Sequence, residues 1–389
     1  MLAGISAFPA QNSARIRARD DREVHMLEGI RVVDFTQYLP GPYATLRLAD
    51  MGAEIIKVEP LQGELGRHFG PKKENESITF QANNQNKKSI AINLKHETGR
   101  EIVLRLINQS DIVIESFRPG VMQKLGLDYE TVKQRKPEII YCSITGYGQT
   151  GRHIHQGSHD LNYLALSGIL SQLKDGCGKP VHPTITLADF IGGMAACEAI
   201  LAALIKRGRD GRGSWIDLSL MDALVSFMQT HRLLQQETGR QNGPTQIDGS
   251  QVSYAIYQTK DERCIVLAAL EEKFWKNFCT AVQKEHWMLA NETPPTNENP
   301  VYREMVELFR SRTLEEWLTF GQAVDCCLTP VLEVEEIVDH PVVKERWAVM
   351  NQNRTSAPKI GDHTVEVLNG LLQVTESELA EWKAQGIVT

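Results

Sequence analysis

Between residues 27 and 148 the sequence alternates short β-branched runs with turns and helical patterns, and this alternation limits the possible folds more than any other feature. The run GIRVVDF precedes a helical pattern that Gly52 closes, and AEIIKVE follows it. The runs KKSIAINLK, DIVIESF and EIIYCSITG continue the series. Strands that alternate with helices form a mostly parallel sheet with helices on both faces. The sequence therefore predicts a doubly wound α/β unit, which is a Rossmann-like architecture.

The length of 389 residues exceeds what one simple core usually holds, and it indicates two domains or one domain with an insertion. Residues 1–26 carry basic side chains but lack the apolar run of a signal peptide, so they are predicted to be a disordered extension. The predicted domains are a large one over 27–224, a small α+β domain over 225–325, and a return to the large domain over 326–389.

Composition and charge exclude several classes of function. The net charge of −7 argues against nucleic-acid binding, which needs a concentrated basic face. The seven cysteines show no CxxC spacing, so reduced thiols in a cytoplasmic protein are predicted. The turn after the first strand lacks G-x-G-x-x-G, which argues against a nicotinamide cofactor.

A long apolar stretch from Leu187 to Ile205 approaches the length of a membrane span, but it contains Asp189, Glu198 and a pair of glycines. Charged residues are rare within membrane spans, so a buried helix of a protein that does not enter a membrane is predicted.

Three titratable residues are grouped around this apolar helix. His159 and Asp160 precede the segment LNYLALSGIL, and Asp189 stands at the entry of the helix. An imidazole and a carboxyl group in one cavity are what two-sided proton transfer requires. The same residue types are also common helix caps, because they accept hydrogen bonds from free N–H groups and favour the positive end of the helix dipole. Both interpretations remain open at this point.

The loop before this segment contains His153 and His155, which together with His159 form the pattern H-x-H-x3-H. Zinc or nickel can be bound by such clusters. However, the pattern lies in a polar loop without the helix that fixes ligands in H-E-x-x-H sites. No metal site is therefore predicted.

Basic residues follow several of the predicted strands, in turns that a parallel sheet would bring to its carboxyl edge. They are Arg67, the pair Lys87 and Lys88, and Arg118 with Lys124; Asn86 and Phe117 lie next to them in sequence and complete a predicted binding set. Gathered at one edge, such side chains suit a phosphorylated ligand such as a nucleotide-containing thioester carrier. A solvated surface is the alternative, because that is where most Lys and Arg side chains lie.

The residues also carry a family resemblance. The segments LEGIRVVDFTQYLPGPYATLRLADMGAEIIKVEP, SDIVIESFRPGVMQKLGLDYE and PEIIYCSITGYGQTG resemble the class III CoA-transferase family, as do NQNKKSIAINLK and GDHTVEVLNG. The similarity extends over nearly the whole chain from about Leu27. It implies a CoA thioester substrate with no cofactor beyond the CoA moiety. It also implies a Rossmann-like large domain built from both chain ends, a smaller domain between them, and an interlocked homodimer.

The segment SHDLNYLALSG is most similar to the alpha-methylacyl-CoA racemase branch of this family. In that branch the positions of His159 and Asp189 are the two acid/base residues, and the spacing between them agrees with the racemase pattern. The resemblance also makes Glu271, in AALEEKF, the support of the catalytic histidine. Asp160 and Glu271 are expected to orient the imidazole, and Tyr163 is expected to line the pocket.

Three functions remain open on the sequence. A racemase of 2-methylacyl-CoA esters is favoured. A CoA transferase in which Asp189 forms an acyl-enzyme anhydride is the alternative, and a non-catalytic CoA-binding protein is the third. Ser158 and Arg152 depart from the glycine and proline usual in the family, and they bear on the substrate more than on the chemistry.

Overall fold

The structure is a computed structural model that describes residues 26–350 and 354–389, with side chains 347–350 outside that description. The prediction for residues 1–26 therefore falls, except for Met26, outside the described residues. The described residues form two compact units: the first contains those up to Phe227 and those after Ala348, and the second spans Met228–Ala348.

A six-stranded parallel sheet forms the centre of the first unit. The strands of this unit are β1 (Arg31–Phe35), β2 (Glu54–Glu59), the hairpin of β3 (Lys72–Lys73) and β4 (Glu76–Ser77), β5 (Lys87–Ala91), β6 (Ile112–Glu115), β7 (Ile140–Thr145) and β8 (Ser214–Ser219). The large sheet has the order β5-β2-β1-β6-β7-β8. This is the doubly wound order, in which ligands bind at the carboxyl edge between the strands where the order reverses, here β1 and β6. The predicted mixed α/β fold with a parallel sheet is confirmed.

Helices cover both faces of the sheet. The α-helices of the described residues are α1 (Pro40–Asp50), α2 (Ile78–Asn83), α3 (Glu97–Asn108), α4 (Val121–Leu125), α5 (Tyr129–Arg135), α6 (Asp160–Ser167), α7 (Leu187–Asp210), α8 (Leu220–Phe227), α9 (Gln229–Thr238), α10 (Glu272–Ala281), α11 (Pro300–Arg310), α12 (Leu314–Ala323), α13 (Pro341–Met350), α14 (Thr364–Leu372) and α15 (Glu376–Ala384). One apolar core lies between the sheet and α3, α14 and α15, and the other lies between the sheet and α1, α7 and α8. The inner strands are thus buried on both faces, which explains why they read as continuous β-branched runs.

Helix α7 is the one helix in the described part of the chain that is long and apolar enough to cross a membrane by length and composition. It packs instead against helices of its own unit. A Cβ atom on Gly192 would lie 2.0 Å from Leu220 Cδ2, and one on Gly193 would lie 2.5 Å from the Pro40 carbonyl oxygen. The two glycines therefore permit α8 and the start of α1 to approach the helix backbone.

The C-terminal segment completes the first unit at the β5 edge of the sheet. The N–H of Asn93 donates to the carbonyl of Ile387 at 2.8 Å, and the N–H of His363 donates to the carbonyl of Ser89 at 2.9 Å. Val388 forms an antiparallel bridge with Ile92. Residues from both ends of the described chain thus build this unit.

The second unit contains a three-stranded antiparallel sheet, with β9 (Tyr254–Gln258), β10 (Cys264–Ala268) and β11 (Leu328–Pro330) in the order β11-β10-β9. Its core is aromatic and includes Trp275, Trp287 and Trp317, all fully buried. The structure divides the chain at other positions than those predicted from the sequence, because β11 pairs with β10 and Cys326 is buried in this core. Residues 326–348 therefore belong to the second unit rather than to the first.

Candidate active site

His159 stands immediately before helix α6, in extended backbone conformation, and its side chain is exposed. The backbone N–H of His159 donates to Oδ1 of Asn162 at 3.0 Å, which fixes the start of the helix. Leu164 is fully buried and anchors the helix in the core, while Gly168 ends the helix in the left-handed region with φ of 87°. The imidazole is thus presented to solvent from a helix whose own position is fixed by packing.

Asp160 joins helix α6 to the start of α7. Its Oδ1 atom accepts hydrogen bonds from the backbone N–H groups of Ala188 at 2.6 Å and Asp189 at 3.1 Å. Thr186, which directly precedes α7, makes no capping hydrogen bond with its own side chain. Asp160 therefore satisfies two free N–H groups of a helix that begins far away in sequence. The capping function considered from sequence is present, but it acts on the other helix.

These bonds give Asp160 a different role from the predicted one. The sequence predicted that Asp160 orients the imidazole of His159, whereas its Oδ1 atom accepts hydrogen bonds from the amides of α7. Burial raises the pKa of Asp160, and the two amide hydrogen bonds oppose that effect. The residue thus positions the start of α7 relative to the start of α6, and with it positions Asp189 relative to His159.

Asp189 lies in the first turn of α7 and is largely shielded from water. Within residues 26–350 and 354–389, its carboxyl group has no hydrogen-bond or ion-pair partner. Burial, and after it the negative charge of Asp160, raises the pKa of Asp189 to about 7. A carboxyl group with that pKa is present in both protonation states near neutral pH, so it can donate a proton as well as accept one.

Tyr163 lies near these two acids, and its part in lining the substrate pocket stays a prediction. Its ring is buried, and its hydroxyl accepts a hydrogen bond from Ser158 Oγ at 2.7 Å. A Cβ atom on Gly146 would lie 2.3 Å from that hydroxyl, so the glycine is needed for the tyrosine to fit. The departure at Ser158 from the usual glycine therefore has a structural consequence, because the serine supplies the tyrosine with a hydrogen-bond partner.

Tyr147 lies next to Tyr163 and was not predicted from the sequence as a site residue. Its ring centroid lies 5.6 Å from that of Tyr163. Within the described residues its buried hydroxyl has no hydrogen-bond partner. A buried hydroxyl without a partner is costly in a folded protein, and such groups often face a ligand or an ordered water.

The first turn of α6 also offers backbone donors. The N–H groups of Asn162 and Tyr163 both donate to the carbonyl of His159, at 2.9 and 3.4 Å. Those of Asp160 and Leu161 have no acceptor among the described residues. Free amides at a helix start are suited to an oxygen that carries negative charge.

The predicted phosphate-binding lysines are not at the carboxyl edge of the sheet, and that prediction is wrong. Lys87 and Lys88 begin strand β5, where Lys87 pairs with Ile55, so both lie at its amino end. The Lys87 side chain is buried and donates to Asn84 Oδ1 at 2.8 Å and to the Pro42 carbonyl at 2.9 Å. Burial lowers the pKa of Lys87 to about 7, although the nearby charge of Asp34 opposes the shift.

Lys88 and Asn86 have other partners on the surface. Lys88 Nζ forms ion pairs with Glu54 at 2.9 Å and Glu366 at 2.8 Å. Asn86 Oδ1 accepts a hydrogen bond from the backbone N–H of Thr355 at 2.6 Å. Each is therefore held by groups of the same unit at the amino end of β5.

Arg67 is buried rather than presented to a ligand. Its guanidinium forms a two-pronged hydrogen bond with Glu59, at 2.7 Å to each oxygen, and also donates to Glu76 at 3.1 Å. It further donates to the Pro358 carbonyl at 3.0 Å, which attaches the C-terminal segment to the end of β2. Arg67, which the sequence predicted to bind a phosphorylated ligand, is thus the partner of Glu59 at the end of β2.

Arg118 is the predicted basic residue that the structure leaves exposed at the carboxyl edge of the sheet. It follows β6 and has no ion-pair partner among the described residues. Phe117 is partly buried against the core, and its N–H donates to Oε2 of Glu115 at 2.8 Å. Lys124 lies in the last turn of α4 and is exposed.

Glu271 lies in the second unit, directly before helix α10, and its side chain is exposed. Its support of the catalytic histidine stays a prediction.

Comparisons with known proteins agree with this fold. The family model of CoA-transferase family III matches residues 27–382. Mouse alpha-methylacyl-CoA racemase is 32% identical over 88% of this chain and 92% of its own length. Mouse succinyl-CoA:glutarate CoA-transferase is also 32% identical, over 93% of this chain and 90% of its own. The crystal structure of a CAIB/BAIF family protein from Brucella suis superposes with a TM-score of 0.79 at 25% identity, covering 89% of this chain and 99% of that one.

This chain is an enzyme of CoA-transferase family III. The family contains both racemases and CoA transferases at similar identity to this chain, so the family by itself leaves the reaction open.

Proposed function

We propose that this protein is a racemase or epimerase of 2-methylacyl-CoA thioesters, with His159 and Asp189 as its two proton-transfer groups. The observation that carries the proposal is the pair of bonds from Asp160 to the first turn of α7, at 2.6 and 3.1 Å. Because Asp160 follows His159 directly, these bonds connect the backbone that bears the imidazole to the backbone that bears Asp189. An imidazole and a carboxyl group held in this way suit removal of a proton from one face of a carbon and its return to the other.

The reaction begins with a proton on the carbon next to the thioester carbonyl. His159 takes this proton, and the electron pair left behind delocalises onto the carbonyl oxygen to form an enolate. The free amides of Asp160 and Leu161 are suited to bind that oxygen. Protonated Asp189 then gives its proton to the opposite face of the carbon. The product has the inverted configuration, and the two groups have exchanged protonation states, so the reverse reaction uses them in the opposite order.

The raised pKa of Asp189 supports this assignment. A racemase needs the carboxyl group protonated at the start of one direction and ionised at the start of the other. With its pKa raised by burial to about 7, both forms are well populated at neutral pH. A carboxyl group at its ordinary pKa would be almost entirely ionised there, and proton donation would be slow.

A CoA transferase is the second candidate, and the identity of 32% to succinyl-CoA:glutarate CoA-transferase favours it. In that reaction the Asp189 carboxylate would attack the thioester carbonyl, release CoA as a thiolate, and form an acyl anhydride. The attacking group must be ionised, and the raised pKa of Asp189 lowers the ionised fraction near neutral pH. The racemase is preferred because its reaction uses both His159 and Asp189, whereas the transferase reaction needs only the Asp189 carboxylate.

For the assembly we propose an interlocked homodimer that binds an acyl-CoA. Helix α7 is a candidate for the subunit interface, because its apolar side chains Met194 and Ile205 are 50% and 60% exposed in the single chain. Large exposed apolar patches commonly mark sites of association.

The test is the exchange of the alpha proton in heavy water. A single enantiomer of a 2-methylacyl-CoA is incubated with the protein in D2O with no carboxylic acid acceptor present. We expect deuterium to appear at the alpha carbon, which mass spectrometry detects, together with a loss of optical purity, which chiral chromatography detects. A parallel incubation contains glutarate or succinate as an acceptor. If the stereocentre stays intact there while the acceptor receives CoA, the transferase is correct and the racemase is not.

A further inference from the structure

A cavity lies at the carboxyl end of β6, on the face of the sheet covered by α4 and α5. It is a cavity of about 360 Å³ lined by residues from β6, β7, β8 and the loop before α6. The lining residues that matter here are Glu115, Arg118, Tyr129, Tyr141, His155 and Trp215. The proposed proton-transfer groups His159 and Asp189 are not among its lining residues.

A buried carboxyl group, that of Glu115, lines this cavity. The side chain is 3% exposed at the carboxyl end of β6, and its Oε2 atom accepts the N–H of Phe117 at 2.8 Å. No Lys, Arg or His pairs with it among the described residues. Burial raises the pKa of Glu115 to about 7, although hydrogen bonds from Ser143 and Phe117 oppose the shift. A buried carboxyl group without a counter-ion is unusual, and it is stabilised in its charged form if a cation binds beside it.

The other acids that line the cavity already have partners. Asp128 accepts hydrogen bonds from the N–H of Glu130 at 3.1 Å and from Thr131 Oγ1 at 2.8 Å. Glu130 forms an ion pair with Lys133 at 2.6 Å. Asp128, like Glu115, has hydrogen bonds but no ion pair among the described residues, so Glu115 differs from the other two acids by its deep burial.

Aromatic rings form much of the wall. Trp215 and Tyr129 are stacked, with ring centroids 6.1 Å apart and an angle of 14° between the planes. The indole N–H of Trp215 donates to Ser143 Oγ at 3.3 Å, which fixes its orientation, and the ring is 45% exposed. Tyr141 adds a third ring, 6.0 Å from that of Tyr129. The faces of such rings attract cations, and Trp does so most strongly.

Arg118 and His155 are exposed lining residues. The Arg118 guanidinium lies near Gly157, where a Cβ atom would be 3.8 Å from its Nη2 atom. No hydrogen bond or ion pair joins Arg118 to Glu115 in the described part of the chain. The arginine therefore leaves the carboxyl group available for a ligand.

We propose that this cavity binds a small organic ammonium ion, with its charge beside Glu115 and its alkyl groups against Trp215, Tyr129 and Tyr141. A hard metal ion fits less well, because it requires several oxygen ligands and Glu115 is the one deeply buried carboxyl group among the described lining residues. An anion beside the aromatic wall would be repelled by the charge of Glu115. An alkylammonium ion uses both features of the cavity, the buried acid and the aromatic wall. This inference does not depend on the proposed racemase activity.

The experiment is isothermal titration of the full-length protein with tetramethylammonium chloride at pH 7.5. Neopentyl alcohol serves as a neutral ligand of similar shape, and sodium chloride at equal ionic strength serves as the salt control. We expect saturable binding of tetramethylammonium that exceeds that of the alcohol by about tenfold or more. Because the ligand favours ionised Glu115, binding at pH 6.5 should also release protons, seen as a dependence of the heat on buffer ionisation enthalpy. Arg118, Asp128, Glu130 and His155 are the other charged or titratable side chains that line the cavity besides the tyrosines.

Three variants decide the outcome. Glu115→Gln keeps an oxygen for the Phe117 N–H and should weaken tetramethylammonium binding by about tenfold or more. Trp215→Leu, at a half-exposed ring, tests the aromatic wall even if the first variant is poorly folded, and it should weaken binding about three- to tenfold. Glu130→Gln is the matched control, because its acid is already paired with Lys133, and it should bind within about twofold of the parent. Equal binding of tetramethylammonium and neopentyl alcohol, or unchanged binding in Trp215→Leu, overturns the proposal.

Discussion

The carboxylate of Asp160 accepts the backbone N–H of Asp189 at 3.1 Å, although the two residues belong to different helices separated by a long loop. The same oxygen accepts the N–H of Ala188 at 2.6 Å. The bond fixes the start of α7 against the start of α6, and it places two acids close enough for the charge of one to raise the pKa of the other. One side chain thus holds the proposed proton donor in position and adds to the rise in its pKa, which burial mainly causes.

The first prediction follows from this charge. Asp160→Asn keeps an oxygen for the two amides but removes the charge, so the pKa of Asp189 should fall, by about one unit or less. The measurement is the pH profile of alpha-proton exchange, in which the limb that belongs to Asp189 should move to lower pH. Asp189→Asn should abolish that limb and racemisation together, because no group remains to protonate the second face. An unchanged profile in Asp160→Asn would show that burial alone sets the pKa.

The second prediction separates the two candidate reactions at His159. In a racemase His159→Ala removes one of the two proton-transfer groups, and the rate should fall by roughly a hundredfold to ten-thousandfold in both directions. His153→Ala is the matched control, because it removes an exposed histidine of the preceding loop. The measurement is chiral analysis of the recovered ester, with mass spectrometry of the protein. An acyl or CoA adduct on Asp189 during productive turnover, without any racemisation by the parent protein, would support the transferase.

The third prediction compares two adjacent lysines. Lys87→Met leaves Asp34 buried without one of its cationic neighbours and removes the donor to the Pro42 carbonyl, so it should lower the free energy of unfolding by about 3 kcal/mol. Lys88→Met removes two partly exposed ion pairs, with Glu54 and Glu366, and should lower the free energy of unfolding by less than about 1 kcal/mol. Urea denaturation of both variants checks this. An equal loss of unfolding free energy in the two variants would mean that the buried contacts of Lys87 with Asp34 and the Pro42 carbonyl do not stabilise the fold.

The fourth prediction concerns stability and pH at Glu115. Its pKa in the folded protein is raised by burial from 4.5 to about 7, so the native state holds a proton that the unfolded chain has lost between those values. Stability due to this group is therefore fully present below pH 4.5 and is lost as pH rises to about 7. Relative to Glu115→Gln, the parent should lose about 2 to 3 kcal/mol between pH 4.5 and pH 7.5. Parallel stability curves for the two proteins would contradict the raised pKa.

The fifth prediction concerns assembly. If two subunits are interlocked, they must partly unfold to separate, so dilution to nanomolar concentration should leave a dimer. Analytical ultracentrifugation with fluorescence detection measures this. Introduction of a charge on the exposed face of α7, as in Ile205→Glu, should promote dissociation if that face lies in the interface, whereas Lys206→Glu next to it serves as the charged control. A monomer of the parent protein at that concentration would contradict the interlocked arrangement.

Much of the fold was accessible from sequence because it rests on local pattern. The β-branched runs at 31–35, 54–59 and 112–115 were read as strands and are strands of the parallel sheet. The assignment of residues 326–348 to the large domain was not correct, because β11 is a three-residue strand with no periodicity of its own and joins the second unit only by its pairing with β10.

The site was only partly accessible. His159 and Asp189 stand out because they flank a conspicuous apolar helix. The signal for Glu115 was also present, as an acid within the apolar run DIVIESF, yet its burial and lack of a counter-ion depend on the strands and helices around it. Arg67 and Lys87 were misread because a sequence shows that these residues are charged but does not show which groups face them.

The sequence by itself determined the alternation of strands and helices, the parallel sheet that follows from it, and the residue types available for proton transfer. The tertiary structure alone decided which of those residues meet. It brought Asp160 to the amides of Ala188 and Asp189, paired Arg67 with Glu59, and buried Lys87 beside Asp34. The physical reason is that hydrophobic periodicity is a local property of the chain, whereas hydrogen bonding, ion pairing and desolvation depend on groups that are distant in sequence.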